Sequence, residues 1–276
     1  MGCRPPGRFT TPSCLAKYLL IIAACTGWPC AAAEKTGQPW EFGLGLATLS
    51  LADYRGSAEY QSRLLPIPYI RYHSQYLKAD RRGVRGEIME SDRIDFNISL
   101  HAALTGENDE NRLRRGMPGL DSTFEIGPAL GISLSGSLED GWLAYFPVRA
   151  VIAFDRDSMR HIGTVLQPQL AYRHPFDKGW YFTYNAGAYY GDNDYHDYYY
   201  KVAPRYATAS RPAYEATSGY SGFSTQINLT RRYGNFWYGG FLRYDNLEHA
   251  VFENSPLVET TDYFMLGFGI SRVFGP

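Results

Sequence analysis

The sequence predicts an all-β fold: an antiparallel transmembrane β-barrel of about twelve strands with periplasmic termini. Three observations point there. Polar and apolar residues alternate with period two through one segment after another. Many of these segments run 11 to 14 residues, whereas a globular strand has about 5–6. Aromatic residues, 16% of the chain with 23 tyrosines, gather at the segment ends. Alternation alone also fits a secreted soluble β-sandwich, since both folds have one oily and one polar face. Strand length and aromatic girdles favour the barrel.

The N-terminus comes first. Arg4, Arg8 and Lys17 precede the apolar run "YLLIIAAC", and "AAA" ends at Ala33. A positive flank, a short apolar run and small residues describe a secretory signal over residues 1–33. The barrel domain then spans 34–276. The apolar run is far shorter than the ~20 residues of a spanning helix. "IAAC" ending at Cys25 also resembles a lipoprotein box, so lipidation at Cys25 is the alternative to cleavage after Ala33. All four cysteines (Cys3, Cys14, Cys25 and Cys30) precede Ala33. The remainder therefore holds no disulfide, thiolate metal site or cysteine nucleophile. A net charge of −1 without a basic patch gives no sign of nucleic-acid binding.

The strands follow. In "RIDFNISLHAAL", Ile94, Phe96, Ile98 and Leu100 share one face and Arg93, Asp95, Asn97, Ser99 and His101 the other. "TFEIGPALGISLS" sets Phe124, Ile126, Leu130 and Ile132 against Thr123 and Glu125. "VLQPQLAYR" opposes Leu166, Leu170 and Tyr172 to Gln167, Gln169 and Arg173. "FSTQINLTRRY" opposes Phe223, Ile227 and Leu229 to Gln226, Asn228 and Arg232. "WLAYFPVRAVIAF", "NFWYGGFLRYDNL" and "YFMLGFGISRVF" alternate less cleanly. Expected girdle aromatics are Trp142, Trp180, Tyr181, Tyr189, Tyr190, Tyr233, Trp237 and Phe274.

Link lengths set direction, because barrel turns are short on the periplasmic side and long outside. "GSLED", "PFDKG" and "YGN" are short. "TGENDENRLRRGMPGLD", residues 192–218 and "EHAVFENSPLVETTD" are long. The last strand then runs inward to the periplasm. Three short strands between Leu64 and Glu90, turning at His73–Ser74 and at "DRRG", restore parity and give twelve; ten is the alternative. The crowded "DNDYHDYYY" at 192–200 becomes an outer loop able to fold back over the mouth.

The candidate lumen residues are Arg93, Asp95, His101, Glu125, Gln167, Gln169, Arg173, Asn228 and Arg232. Their mixed signs imply salt bridges across the interior rather than a selective ring. Catalytic chemistry is not legible: the chain reads as a non-enzyme with no cofactor and no metal site. Six histidines are scattered without ligand spacing. "DNDYHD" around His196 lacks the glycine and distal glutamate of a calcium loop and reads as solvated loop. Ser99 and His101, one alternation apart, read as a pore-lining pair; no nucleophile elbow is present.

Several segments carry a resemblance. "DYRGSAEYQSRLLPIPYIRY", "GMPGLDSTFEIGPALG", "DYYYKVAPRYATASRPAYEATSG", "NLEHAVFENSPLVE" and the closing "YFMLGFGISRVF" resemble, in order, segments of the MipA/OmpV family of outer-membrane proteins. The resemblance covers roughly Trp40 to Phe274. The chain departs from it at Tyr198–Val202, "YYYKV" where the family has "YYGV", and in ending "VFGP" beyond the aromatic Phe274. The resemblance implies a Gram-negative outer-membrane barrel in contact with lipid. It also implies a scaffold joining a lytic transglycosylase to a peptidoglycan synthase, or, from the other namesake, a porin-like protein. It transfers no catalytic residue.

Overall fold

The computed structural model describes residues 40–73, 77–80, 83–103, 111–155 and 157–274. The expected signal segment, Ser74 of the first turn, Arg81 and Arg82 of the second, and residues 104–110 lie outside these. All that follows concerns the unit Gln38–Pro276.

The chain makes β1 (Trp40–Ala52), β2 (Tyr60–His73), β3 (Leu77–Asp80), β4 (Gly83–Glu90), β5 (Ile94–Ala103), β6 (Ser122–Gly136) and β7 (Gly141–Phe154). It continues with β8 (Met159–Leu166), β9 (Gln169–Pro175), β10 (Trp180–Gly191), helix α1 (Asn193–Tyr200), β11 (Gly219–Tyr233), β12 (Phe236–Asn246) and β13 (Asp262–Phe274). Apart from β8 and β9, each strand pairs antiparallel with its neighbours in sequence. β13 pairs with β1 and β10 with β11, so the hydrogen-bonded ladders run in a circuit.

β8 and β9 both pair with β7 and with β10. They are two halves of one wall strand, broken at Gln167–Pro168, where proline has no N–H to give the ladder. Counted as one, they make a wall of twelve strands. The stretch from Leu64 to Glu90 belongs to three strands, as parity requires. Two of them, β3 and β4, are short, but β2 has 14 residues.

The alternation sorts by face as a membrane wall demands. Leu44, Leu64, Leu266 and Phe268 look outward, 51% to 70% exposed. Inward neighbours such as Asp95, Asn97, Ser99, Thr123 and Glu125 are buried. This inverts a soluble core: oil outside, hydrogen-bonding groups inside. Among the described residues no helix is long and apolar enough to cross a membrane.

Not all the expected girdle aromatics face out. Trp142, Tyr190, Tyr233 and Phe274 are exposed, but Tyr181 and Tyr189 are buried inward, and Trp237 lines the interior. Successive strand residues point to opposite faces, so Trp180–Tyr181 and Tyr189–Tyr190 must each divide between lipid and lumen.

Links sort by end. The short ones, 137–140, 176–179 and 234–235, lie at the end where Trp40 and Phe274 also lie, since Phe42 faces Phe274 across the ladder. The 234–235 turn needs Gly234 at φ +54°, a region where glycine meets no Cβ penalty. The long links 53–59, 192–218 and 247–261, with residues 111–121 of the link before β6, lie at the other end. They converge on a cluster that includes Tyr54, Leu120, Tyr195, Tyr200, Leu247 and Phe252.

Candidate functional site

The wall encloses a cavity of about 520 Å³. Near the short-turn end it is lined by Arg173, Tyr181 and Trp237, and toward the long-loop end by Arg149, Tyr189 and Arg243. The 137–140 turn reaches under it. The Leu138 side chain packs on Leu143 and Ala171, and its carbonyl accepts from Arg173 Nη1 at 2.7 Å.

Six of the residues read from sequence line this cavity: Asp95, His101, Gln167, Gln169, Arg173 and Asn228. Glu125 is buried behind them and meets His101 Nδ1 at 3.6 Å. The structure does not bring the other two to the cavity. Arg93 is exposed in the turn before β5, its carbonyl accepting from Ser133 N at 2.8 Å. The paired part of β5 begins at Ile94, so the alternation does not carry Arg93 inward. Arg232 lies near the end of β11, its guanidinium 6.0 Å from the Tyr69 ring.

The hub of the interior is Arg149. Its Nε donates to Ser99 Oγ at 2.7 Å, and its Nη1 to Glu125 Oε2 at 3.2 Å and Gln167 Oε1 at 3.3 Å. Ser99 therefore serves the arginine rather than His101. The sequence signal was a single charge inside "PVRAVIAF". A buried cation is retained only where it is paired and hydrogen-bonded, so a lone arginine in an apolar run asks for an acidic partner. A second centre lies toward the long loops. Arg243 binds Asp245 at 2.6 and 2.8 Å, and Arg55 Nε approaches the same carboxylate at 3.4 Å. Both guanidinium groups also lie over the Tyr189 ring, Arg55 at 4.5 Å and Arg243 at 5.4 Å.

Above this centre the 192–218 loop enters the barrel mouth. Asp192 caps α1: one carboxylate oxygen accepts from Tyr195 N at 2.9 Å, the other from Thr164 N at 2.7 Å on the wall. A β-carbon on Gly163 would sit 2.4 Å from Tyr195 N, so only glycine lets the helix approach the wall this closely. The buried helix residues are Tyr195, His196, Tyr199 and Tyr200. Their hydroxyls and carbonyls tie four loops together. Tyr200 Oη donates to the Arg55 carbonyl at 2.9 Å, Ser255 Oγ to the Tyr200 carbonyl at 2.8 Å, and Arg114 Nη1 to the Tyr199 carbonyl at 2.7 Å. Burial raises the phenols of Tyr195, Tyr199 and Tyr200 well above their ordinary range, and Tyr198 to about 12. All four stay neutral, as a packed plug requires.

His196, expected in a solvated loop, is 0% exposed. Nδ1 stands 2.6 Å from the Thr217 carbonyl, which only accepts, so Nδ1 carries the proton. Nε2 then accepts from Ser221 Oγ at 2.5 Å. Both ring nitrogens are committed to the plug. The helix escaped the sequence reading because its eight residues, "NDYHDYYY", carry no apolar stripe; its hydrophobic content is tyrosine rings.

A circuit of antiparallel strands, oily outside and polar inside, with a packed loop filling one mouth, defines a membrane-spanning β-barrel. The chain belongs to the family described as MltA-interacting protein MipA, whose model matches residues 44–274. Among solved structures it is similar to an outer membrane channel from Pseudomonas putida F1. The identity is 14% and the TM-score 0.45, covering 88% of this chain and 97% of that one. No curated protein matches it.

Proposed function

We propose that this chain is a non-enzymatic outer-membrane barrel whose lumen holds a small polar solute, with the 192–218 loop as its plug. The carrying observation is the cavity of about 520 Å³, polar over much of its lining and ending beneath the packed helix. Sites of this kind commonly measure ~300–1,000 Å³. The outward apolar face supports contact with outer-membrane lipid. Both ends of the described chain lie at the short-turn end, which supports periplasmic termini after removal of residues 1–33. Solute then enters from the periplasmic side. Arg149 is tied to Glu125 and Arg243 to Asp245, which supports a binding role over catalysis.

The experiment is planar-bilayer conductance of the refolded barrel, intact and with 192–218 replaced by a short Gly-Ser link. The intact protein conducts weakly and the shortened one steadily. Silence in both, with no solute bound, overturns this reading.

The family description supports a second reading. In it the barrel is a scaffold that holds a lytic transglycosylase, and with it a peptidoglycan synthase, at the periplasmic turns. Those turns are short, so the contact area is small and the affinity modest. Co-purification of a lytic transglycosylase with the intact barrel, lost on replacing 137–140, tests it.

A further inference from the structure

The cavity has two chemically different halves. β12, β13, β1 and β2 are consecutive in the circuit. They contribute Trp237, Phe241, Ala47, Leu49 and Ile67, together with glycines at 239, 267 and 269. The glycines make this half flat. A β-carbon on Gly239 would fall 2.2 Å from Trp237 Cη2, and one on Gly267 would fall 2.4 Å from Phe241 Cε1. The two rings therefore lie down against the wall. The other half, from β5 round to β11, contributes the side-chain amides Asn97, Gln167, Gln169, Asn185, Gln226 and Asn228.

The charges of the lining are held by the protein itself. Arg149 has Glu125, Arg243 has Asp245, His101 has Glu125, and Asp95 accepts from Asn97 Nδ2 at 2.9 Å. Arg173, also in the lining, donates to the Leu138 carbonyl at 2.7 Å. The amides are different, because each offers donors and an acceptor at once. Asn97 is 1% exposed, and its Oδ1 has no hydrogen-bond partner. A buried acceptor left unmet is unfavourable until a donor arrives.

We infer that the lumen binds a neutral sugar of one or two rings. The C–H face of a pyranose lies on the Trp237–Phe241 wall, and its hydroxyl rim, which donates and accepts like the amides, meets the opposite half. A hydroxyl hydrogen satisfies Asn97 Oδ1. A lipid tail would leave the amides unpaired, and an anion would find Arg149 and Arg243 already paired with carboxylates. This inference rests on the reading of the lumen as a solute site.

The test is titration calorimetry on the barrel refolded in a phosphocholine detergent. Three probes are used: maltose, lactobionate (of similar size, with a carboxylate) and benzyl alcohol. Maltose is expected to bind at least about tenfold more tightly than either of the others. Asn97→Ala and Gln226→Ala each weaken it about five- to tenfold, as loss of one buried hydrogen bond does. Trp237→Leu abolishes the change in tryptophan fluorescence on maltose addition. Heat-modifiable migration on gels confirms that each variant is folded; Gln226→Glu replaces any that is not, and weakens maltose binding too. If lactobionate or benzyl alcohol binds and maltose does not, the sugar inference falls and the solute reading stands. Maltose binding unchanged in the variants also overturns the inference. If no probe binds to the intact or the plug-shortened barrel, both fall together.

Discussion

The rings of Tyr200 and Phe252 lie parallel, 8° apart in plane and 3.7 Å between centroids. The first ends the plug helix and the second sits in the loop between β12 and β13. Phe252 is 0% exposed, and its ring also meets that of His196 in a T-shaped contact, centroids 4.9 Å apart. Phe252→Ala is expected to cost about 3–5 kcal/mol locally. Limited proteolysis within 192–218 should accelerate while the wall keeps its heat-modifiable migration. An unchanged cleavage rate would show that the plug does not depend on this stack.

Acid is expected to loosen the same plug. Burial, and after it the Arg55 charge, holds the His196 imidazole below its ordinary value of 6.5, against the opposing pull of the Thr217 carbonyl, Asp192 and Asp197. A base depressed in the folded state contributes stability in full above its unfolded value. That contribution is lost as pH falls from about 6.5 toward the folded value. Tyr195 and Tyr200 stay neutral throughout this range. Conductance should therefore rise between about pH 7 and pH 5, and His196→Gln should flatten the profile.

Arg149 and Glu125 are buried, with side chains 8% and 10% exposed. Removing one partner strands the other charge, which costs about 3–5 kcal/mol. Glu125→Ala should thus lower the urea midpoint in lipid vesicles more than the double variant Arg149→Met, Glu125→Leu, which removes both charges.

On the lipid face, Leu46 lies midway along β1, opposite Ile270 and Pro66. Leu46→Arg is expected to cost about 2–4 kcal/mol, and Phe42→Arg nearer the strand end about 0–1 kcal/mol. Equal tolerance at both positions in vesicle refolding would argue against a spanning wall.

For the exported protein, N-terminal sequencing should begin at Glu34. A diacylated Cys25 at the new N-terminus would select the lipid-anchored alternative.

The wall was legible because a spanning strand repeats one rule for its whole length. The faces of Ile94, Phe96 and Ile98 against Asp95 and Asn97 follow from period two alone. Link lengths then supplied direction and the count of twelve. The interior was legible only in part. Where the plug descends, the inner face of β7 turns apolar at Val151 and Ala153, both buried. The alternation blurs there, and it hid Arg149. Arg243 and Asp245 pair two positions apart on one strand, a contact that alternation permits without announcing. The plug was invisible to period-based reading: its helix has eight residues and docks through tyrosine hydroxyls, glycine clearances and carbonyls of distant loops.

The seam between β1 and β13 joins residues more than two hundred positions apart, with Ser50 opposite Leu266 and Phe42 opposite Phe274. Bringing such distant segments together carries the greatest loop-closure entropy in the molecule. The first strand has no second neighbour until the last has been delivered. Until then β1 offers a bare edge to any passing strand. A nascent or truncated chain is therefore a sticky ribbon. The C-terminal thirteen residues of β13 decide, at the last step, whether a membrane protein forms at all.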